Sequence, residues 1–115
     1  MDIVQLDIFQ KRLEAMRREL LETDEALRRS TRPVNLDQAR VGRLSRMDAM
    51  QGQAMAIEAQ RRSRSRLGLV EQALARVASG DYGICIVCEE DIDPRRLEFD
   101  PSALLCITCA RSTET

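Results

Sequence analysis

The stretch CIVCEEDIDPRRLEFDPSALLCITC, residues 85–109, contains all four cysteines of this 115-residue chain. They form two C-x-x-C pairs, Cys85 with Cys88 and Cys106 with Cys109, and 17 residues separate the pairs. This spacing is typical of a tetrahedral zinc site, because each pair directs two thiolates to one side and the intervening loop brings the pairs together. The stretch therefore predicts one Zn²⁺ ion bound by these four cysteines.

The predicted zinc site is structural. Four thiolates fill a tetrahedral coordination shell and leave no position for water or substrate, and the chain contains no histidine. No nucleophile–base arrangement is visible either, so we expect no enzymatic activity. Redox-active dithiols or an iron–sulfur centre are the alternatives. The sequence has none of the cysteine spacings that are characteristic of iron–sulfur protein families, which disfavours the second of these. A module this small, with few aromatic residues, needs the folding energy that a metal supplies.

Upstream of the cysteines, the sequence predicts a long helix over residues 36–79. Asn35 provides an N-cap side chain, no proline interrupts the helix before Pro94, and Gly80 is suited to a left-handed C-terminal cap. A first helix over residues 3–29 is predicted by apolar residues at spacings of three and four, namely Leu6, Phe9, Leu13, Met16, Leu20 and Leu27. Pro33 breaks the helical pattern between the two helices.

The predicted fold is therefore mainly α-helical: a long antiparallel helical hairpin, or coiled coil, over residues 1–79 with its tip at about 30–39, followed by a small four-cysteine zinc-finger module over residues 80–115. A turn at Pro33 predicts that paired residue numbers add up to about 66, with Leu27 near Ala39 and Leu6 near Gln60. The facing side of the second helix would then present Val41, Leu44, Met47, Met50, Ala54, Met55 and Ile57.

A second apolar stripe on this helix consists of Leu67, Val70, Leu74 and Val77. In that register it extends past the start of the first helix. We expect it to contact the zinc module, the N-terminal residues Ile3 and Val4, or another subunit.

The net charge of −1 is the sum of segments with opposite charge. Residues 30–66 carry eight basic and three acidic groups, whereas residues 67–115 carry four and nine. Arg61, Arg62, Arg64 and Arg66 form the best candidate for a nucleic-acid or acidic-protein contact. Because no aromatic residues are interleaved to stack on bases, this run does not favour direct DNA binding.

No apolar stretch approaches the ~20 residues needed to span a bilayer, and the start MDIVQLDIFQ does not have the pattern of a signal peptide. We therefore expect no membrane association and a cytoplasmic location. In that reducing compartment, four cysteines favour metal binding over disulfides.

The module resembles the C4 zinc finger of the DksA/TraR family. The resemblance lies in Asp81-Tyr82-Gly83-Ile84 before the first cysteine pair, then Ile92, Arg95-Arg96-Leu97-Glu98, Pro101 and Leu105 before the second. The hairpin resembles that family's coiled coil. This resemblance implies a transcription regulator that binds bacterial RNA polymerase, with the coiled-coil tip in the secondary channel, near the active site.

The family's tip motif, Asp-x-x-Asp-x-Ala, is matched here in part by Asp37 and Ala39, with Val34 in place of the first Asp. Asp37 lies about eight residues farther from the cysteines than the family's second Asp. Asp48 is a competing acidic residue, although it lies well inside the second predicted helix.

Some family members bind the alarmone guanosine tetraphosphate with basic residues near the zinc module. In ungapped register, those positions correspond here to Leu69, Asp100 and Ala110, none of them basic. We therefore expect weak or no alarmone dependence.

The alternative function is a coiled-coil adaptor with a structural zinc knob that acts on a different partner. The stripe at Leu67–Val77 distinguishes the two in part. If the zinc module covers it, the chain is a self-contained monomer, as the resemblance suggests. If it pairs with another chain, the adaptor gains support.

Overall fold

The computed structural model describes residues 1–30 and 43–113, with side chains described for 1–29 and 47–113. The described ranges contain four helices, in the order α1 (Ile3–Ser30), α2 (Arg43–Ser79), α3 (Pro94–Phe99) and α4 (Ile107–Thr113). The two long helices are in contact as a hairpin, and the module with the four cysteines follows them. The predicted fold class is confirmed. The predicted start of the second helix at residue 36 lies outside the described residues.

The long helices begin and end where local chemistry favours it. Asp2 and Gln5 cap α1 reciprocally: the Asp2 carboxylate accepts the Gln5 backbone N–H at 2.7 Å, and the Gln5 side chain accepts that of Asp2 at 3.4 Å. Gly80 ends α2 with φ of 82°, and the next N–H, that of Asp81, donates to the Arg76 carbonyl at 2.9 Å. The predicted cap at Gly80 is confirmed.

Contacts divide the chain into two compact units. One comprises Met1–Arg18 with Leu67–Thr115, and the other comprises Glu19–Arg66. The domain boundary expected from sequence, between residues 79 and 80, stays a prediction. None of the helices in the described ranges is long and apolar enough to cross a membrane.

In the first unit, the apolar seam of α1 faces the core as expected, with Phe9 and Leu13 buried and Leu6 and Met16 partly buried. Phe9 and Leu13 belong to a core whose other fully or largely buried members are Val70, Ala73, Tyr82, Cys85, Ile92, Leu97 and Leu104. The rings of Phe9 and Tyr82 lie 5.7 Å apart, a favourable aromatic separation. Of the stripe at Leu67–Val77, Val70 is fully buried in this unit, and the other three members are partly buried. Ile3 and Val4, one of its three expected partners, remain exposed.

In the second unit, two hydrogen bonds connect the long helices. The Asp24 carboxylate accepts hydrogen bonds from Gln60 at 3.3 Å and from Arg64 at 2.9 Å. These pairs have residue numbers that add up to 84 and 88, so the predicted register of 66 is wrong. In the first unit, the Arg17–Glu71 ion pair at 3.6 Å also adds up to 88.

The expected facing side of α2 is wrong for the same reason. Ala56 is buried, and Gln53, Gln60 and Ser63 are partly buried, which continues the spacing of the 67–77 stripe toward the N-terminal end of α2. The apolar residues expected to face α1 are instead exposed, namely Met47, Met50, Ala54, Met55 and Ile57. Val41 and Leu44 lie outside the described side chains.

Candidate functional site

The four cysteines form one cluster. Their sulfur atoms all lie within 4.8 Å of one another, and the Sγ atoms of Cys88 and Cys106 are 3.7 Å apart. Four thiolates bound to Zn²⁺ at ~2.3 Å in a tetrahedron would be separated by about 3.8 Å. The geometry and the all-sulfur donor set therefore fit one structural zinc ion, as the sequence predicts.

The first cysteine pair lies on a turn with a closed hydrogen-bond pattern. The Glu89 N–H donates to the Cys85 carbonyl at 3.0 Å, and the Cys85 N–H donates to the Glu90 carbonyl at 2.8 Å. Glu89 adopts a left-handed conformation with φ of 63°, which is uncommon for a residue other than glycine. Hydrogen bonds from the backbone amides of Cys88, on this turn, and of Cys106, just before α4, lower the pKa of the Cys85 thiol to about 6.

The second pair begins α4. The backbone N–H of Cys109 is 3.5 Å from the Cys106 sulfur. The hydrogen bond with the Cys106 side chain, together with burial, raises the pKa of Cys109 to about 12. Without a cation, the crowded sulfur atoms thus compete for protons. A divalent metal would stabilise all four as thiolates, which is the chemistry of a zinc ligand set.

Two arginines support the cysteine pairs from outside the cluster. Arg76, in the last turn of α2, donates to the Ile84 carbonyl at 3.1 Å, immediately before Cys85. Arg96, in α3, donates to the Leu105 carbonyl at 2.9 Å, immediately before Cys106. The same type of contact therefore fixes the backbone that leads into each pair. Arg96 is part of the family motif, but Arg76 was not found from the sequence.

The module is anchored by Tyr82 and Asp100. The buried Tyr82 hydroxyl donates to the Pro101 carbonyl at 2.7 Å, and burial raises the pKa of Tyr82 to about 12. The Asp100 carboxylate accepts both the backbone N–H of Ser102 at 3.1 Å and its hydroxyl at 2.7 Å. At the start of α3, Asp93 caps the helix by accepting the Arg95 N–H at 2.9 Å.

The arginine run on α2 is exposed and partly paired with acidic side chains. Arg61 forms two hydrogen bonds with Glu58, at 2.7 and 3.1 Å. Arg64 pairs with Asp24 on α1 and lowers the pKa of that carboxyl below its usual value. Arg62 and Arg66 form no ion pair within the described residues. Two of the four arginines, Arg61 and Arg64, therefore fit a solvated helix face with nearby acidic partners.

The predicted tip residues Asp37 and Ala39 lie outside the described residues. Asp48 lies on α2 and is exposed.

Comparison with known protein families supports the zinc assignment. Residues 80–114 match the family model described as prokaryotic dksA/traR C4-type zinc finger. Over most of its length, the chain also resembles a solved structure, that of transcription factor DksA2 from Pseudomonas aeruginosa. The two share 31% sequence identity with a TM-score of 0.78, and the match covers 99% of this chain and 86% of that one. The chain belongs to the DksA/TraR family.

The curated relatives in this family match a shorter part of the chain. The RNA polymerase-binding transcription factor DksA of Haemophilus influenzae is 37% identical over 68 residues, which are 57% of this chain and 47% of that protein. The protein of the same name from Escherichia coli strain K12 is also 37% identical over 68 residues, covering 45% of its length. The chain thus spans about half the length of the curated DksA proteins that it matches.

Proposed function

We propose that this chain is a transcription regulator that binds bacterial RNA polymerase. The observation that carries the proposal is the structural match to DksA2, which extends over both the long helices and the zinc module at 31% identity. The relatives with 37% identity are named for polymerase binding. A saturated metal site suits such a role, because it stabilises a module without supplying a reactive position.

The finer part of the proposal is the mode of binding. The hairpin tip would enter the secondary channel of the polymerase and modulate initiation, as the resemblance to the family implies. A narrow pair of helices can carry an acidic side chain toward a metal ion or a basic loop. The candidates for this side chain are Asp37, with Ala39 beside it, and Asp48. The exposed Arg62 and Arg66 are additional candidates for contacts with acidic polymerase surfaces.

The adaptor function has less support from the second apolar stripe. Val70 is fully buried, and Leu67, Leu74 and Val77 are partly buried, so the stripe offers only part of its apolar area to a second subunit. A monomeric state remains our prediction. It can be measured by light scattering on the zinc-loaded protein.

The test is binding of the zinc-loaded chain to RNA polymerase core enzyme, combined with promoter-dependent transcription. We expect wild type to bind at micromolar concentrations or tighter. We expect Asp37→Asn to bind equally well but to lose the effect on transcription, because the substitution removes charge with little change in shape. Asp48→Asn is the matched comparison, since it makes the same change at the competing acidic residue.

Three outcomes separate the possibilities. Loss of the transcription effect in Asp37→Asn alone supports the predicted tip. Loss in Asp48→Asn alone transfers the role to Asp48. Absence of wild-type binding to both core enzyme and holoenzyme contradicts the polymerase proposal itself.

A further inference from the structure

Three apolar side chains are exposed on the two zinc-binding turns. Ile86 and Val87 lie between Cys85 and Cys88 and are 48% and 64% exposed, whereas Ile107, next to Cys106, is 49% exposed. Since the four sulfur atoms lie within 4.8 Å of one another, all three residues border the same cluster. We refer to Ile86, Val87 and Ile107 as the knuckle surface.

The backbone beneath this surface is fixed. In addition to the hydrogen bonds that close the turn, the Ile86 N–H donates to the Leu104 carbonyl at 3.0 Å. Ile86 and Val87 are therefore presented on a preorganised turn, and a partner would lose little free energy in ordering them. Turns normally favour Gly, Pro, Asn, Asp and Ser. Two adjacent β-branched apolar residues there leave about half or more of their surface exposed to solvent.

The edge of the knuckle surface is acidic. Glu89, Glu90 and Asp91 follow Cys88 directly and are exposed, and their carboxylates form no ion pair with the side chains that the structure describes. Elsewhere in the module, Arg95 pairs with Asp93 at 2.9 Å, and Arg96 is held by the Leu105 carbonyl. The third basic residue of the module, Arg111, lies on α4 and is exposed. Residues 80–115 contain eight acidic and three basic groups, so the module as a whole is negatively charged.

We infer that the knuckle surface, with the acidic residues 89–91 at its edge, docks on an apolar patch of RNA polymerase surrounded by Lys or Arg side chains. This inference rests on the proposed function and adds a second contact, separate from the hairpin tip. The charge excludes nucleic acid as the occupant, because phosphates would be repelled by three adjacent carboxylates. Anionic lipid headgroups are disfavoured for the same reason.

The chain supplies a matched control for the test. The dipeptide Ile-Val occurs twice, at residues 86–87 and at residues 3–4, where Ile3 and Val4 are 85% and 69% exposed. We expect Ile86→Ser combined with Val87→Ser to weaken binding to core polymerase about tenfold or more, as removal of a central apolar contact does. Ile3→Ser combined with Val4→Ser should bind like wild type. Zinc content and thermal unfolding of both variants establish that they fold.

Two further measurements identify the partner surface. Binding titrations over a range of salt concentrations should show a shallower salt dependence for Glu89→Gln combined with Glu90→Gln than for wild type. A photo-crosslinking amino acid at residue 87, but not at residue 4, should form adducts with a polymerase segment rich in Lys or Arg.

The outcomes distinguish this inference from the proposed function. If wild type binds polymerase and the folded 86–87 variant binds equally well, the knuckle inference is wrong while the proposed function stands. Crosslinks at residue 87 to a second copy of the chain would also overturn the inference. If wild type fails to bind polymerase at all, the proposed function and the inference fail together.

Discussion

Arg76 shows how a single side chain can be structurally important without a visible signal in the sequence. It donates to the carbonyls of Asp81 and Ile84 at 3.2 and 3.1 Å, and so links the end of α2 to the backbone before Cys85. Every residue has a carbonyl, so no pattern of side chains marks such an acceptor. The cysteines differ in this respect, because their spacing and thiolate chemistry identify them from the sequence alone.

The zinc ligands give the first prediction at this scale. Cys106→Ser should abolish stoichiometric zinc binding and unfold residues 80–113, because metal binding contributes on the order of 10 kcal/mol to small zinc modules. Removal of zinc by a chelator should have the same effect. Zinc analysis combined with amide NMR spectra would measure both results.

Thr108→Ser is the control, since it changes a residue between two ligands without removing a sulfur atom. A Cys106→Ser variant with native-like amide signals for Tyr82 and Leu97 would contradict the structural role of the metal.

At the scale of the elements, the first helix and the end of the second were predicted well, whereas the pairing of the two helices was not. The seam of α1 is clear in the sequence because its members are Leu, Phe and Met. The opposing seam of α2 uses Gln53, Ala56, Gln60 and Ser63, whereas its exposed face carries methionines and Ile57. A search for apolar residues at helical spacing therefore selected the wrong face. The Asp24–Gln60 hydrogen bond shows why polar residues are accepted in this seam.

Ser63 gives a prediction about this polar seam. Its hydroxyl oxygen is buried and has no hydrogen-bond partner among the described atoms. Ser63→Ala should therefore stabilise the hairpin by about 1 kcal/mol, from better helix propensity and from removal of an unsatisfied polar atom. Ser65→Ala, at an exposed position in the same helix, should gain only the propensity, about 0.5 kcal/mol.

Thermal or urea unfolding of the two variants would show the difference. Equal effects of the two substitutions would mean that the Ser63 hydroxyl is satisfied in solution, for instance by water.

At the scale of the whole molecule, the family and the four-cysteine module could be predicted from about 30 residues, because that motif is specific. The partner-binding residues could not be assigned in the same way. Asp37 matches the family motif only in part, and the register of the hairpin depends on contacts between residues far apart in sequence.

Alarmone response is a property of the protein bound to its partner, and here we expect it to be weak. The positions that are basic in some relatives are Leu69, Asp100 and Ala110, and the Asp100 carboxylate is already held by Ser102. A carboxylate at this position repels phosphate groups. Titration of guanosine tetraphosphate into polymerase, with and without the zinc-loaded chain, should give the same number of sites and the same affinities. An additional site that appears only with the chain present would contradict this expectation.

The way in which chain segments combine into the two compact units has a consequence for synthesis on the ribosome. Residues Glu19–Arg66 form a continuous unit, whereas the unit with the cysteines combines Met1–Arg18 with Leu67–Thr115. During translation, Phe9 and Leu13 are therefore synthesised well before the residues from 67 onward that complete their core. The metal site is incomplete until Cys109 has left the exit tunnel. Since N-terminal segments emerge first, the nascent chain carries an uncovered apolar seam for most of its synthesis.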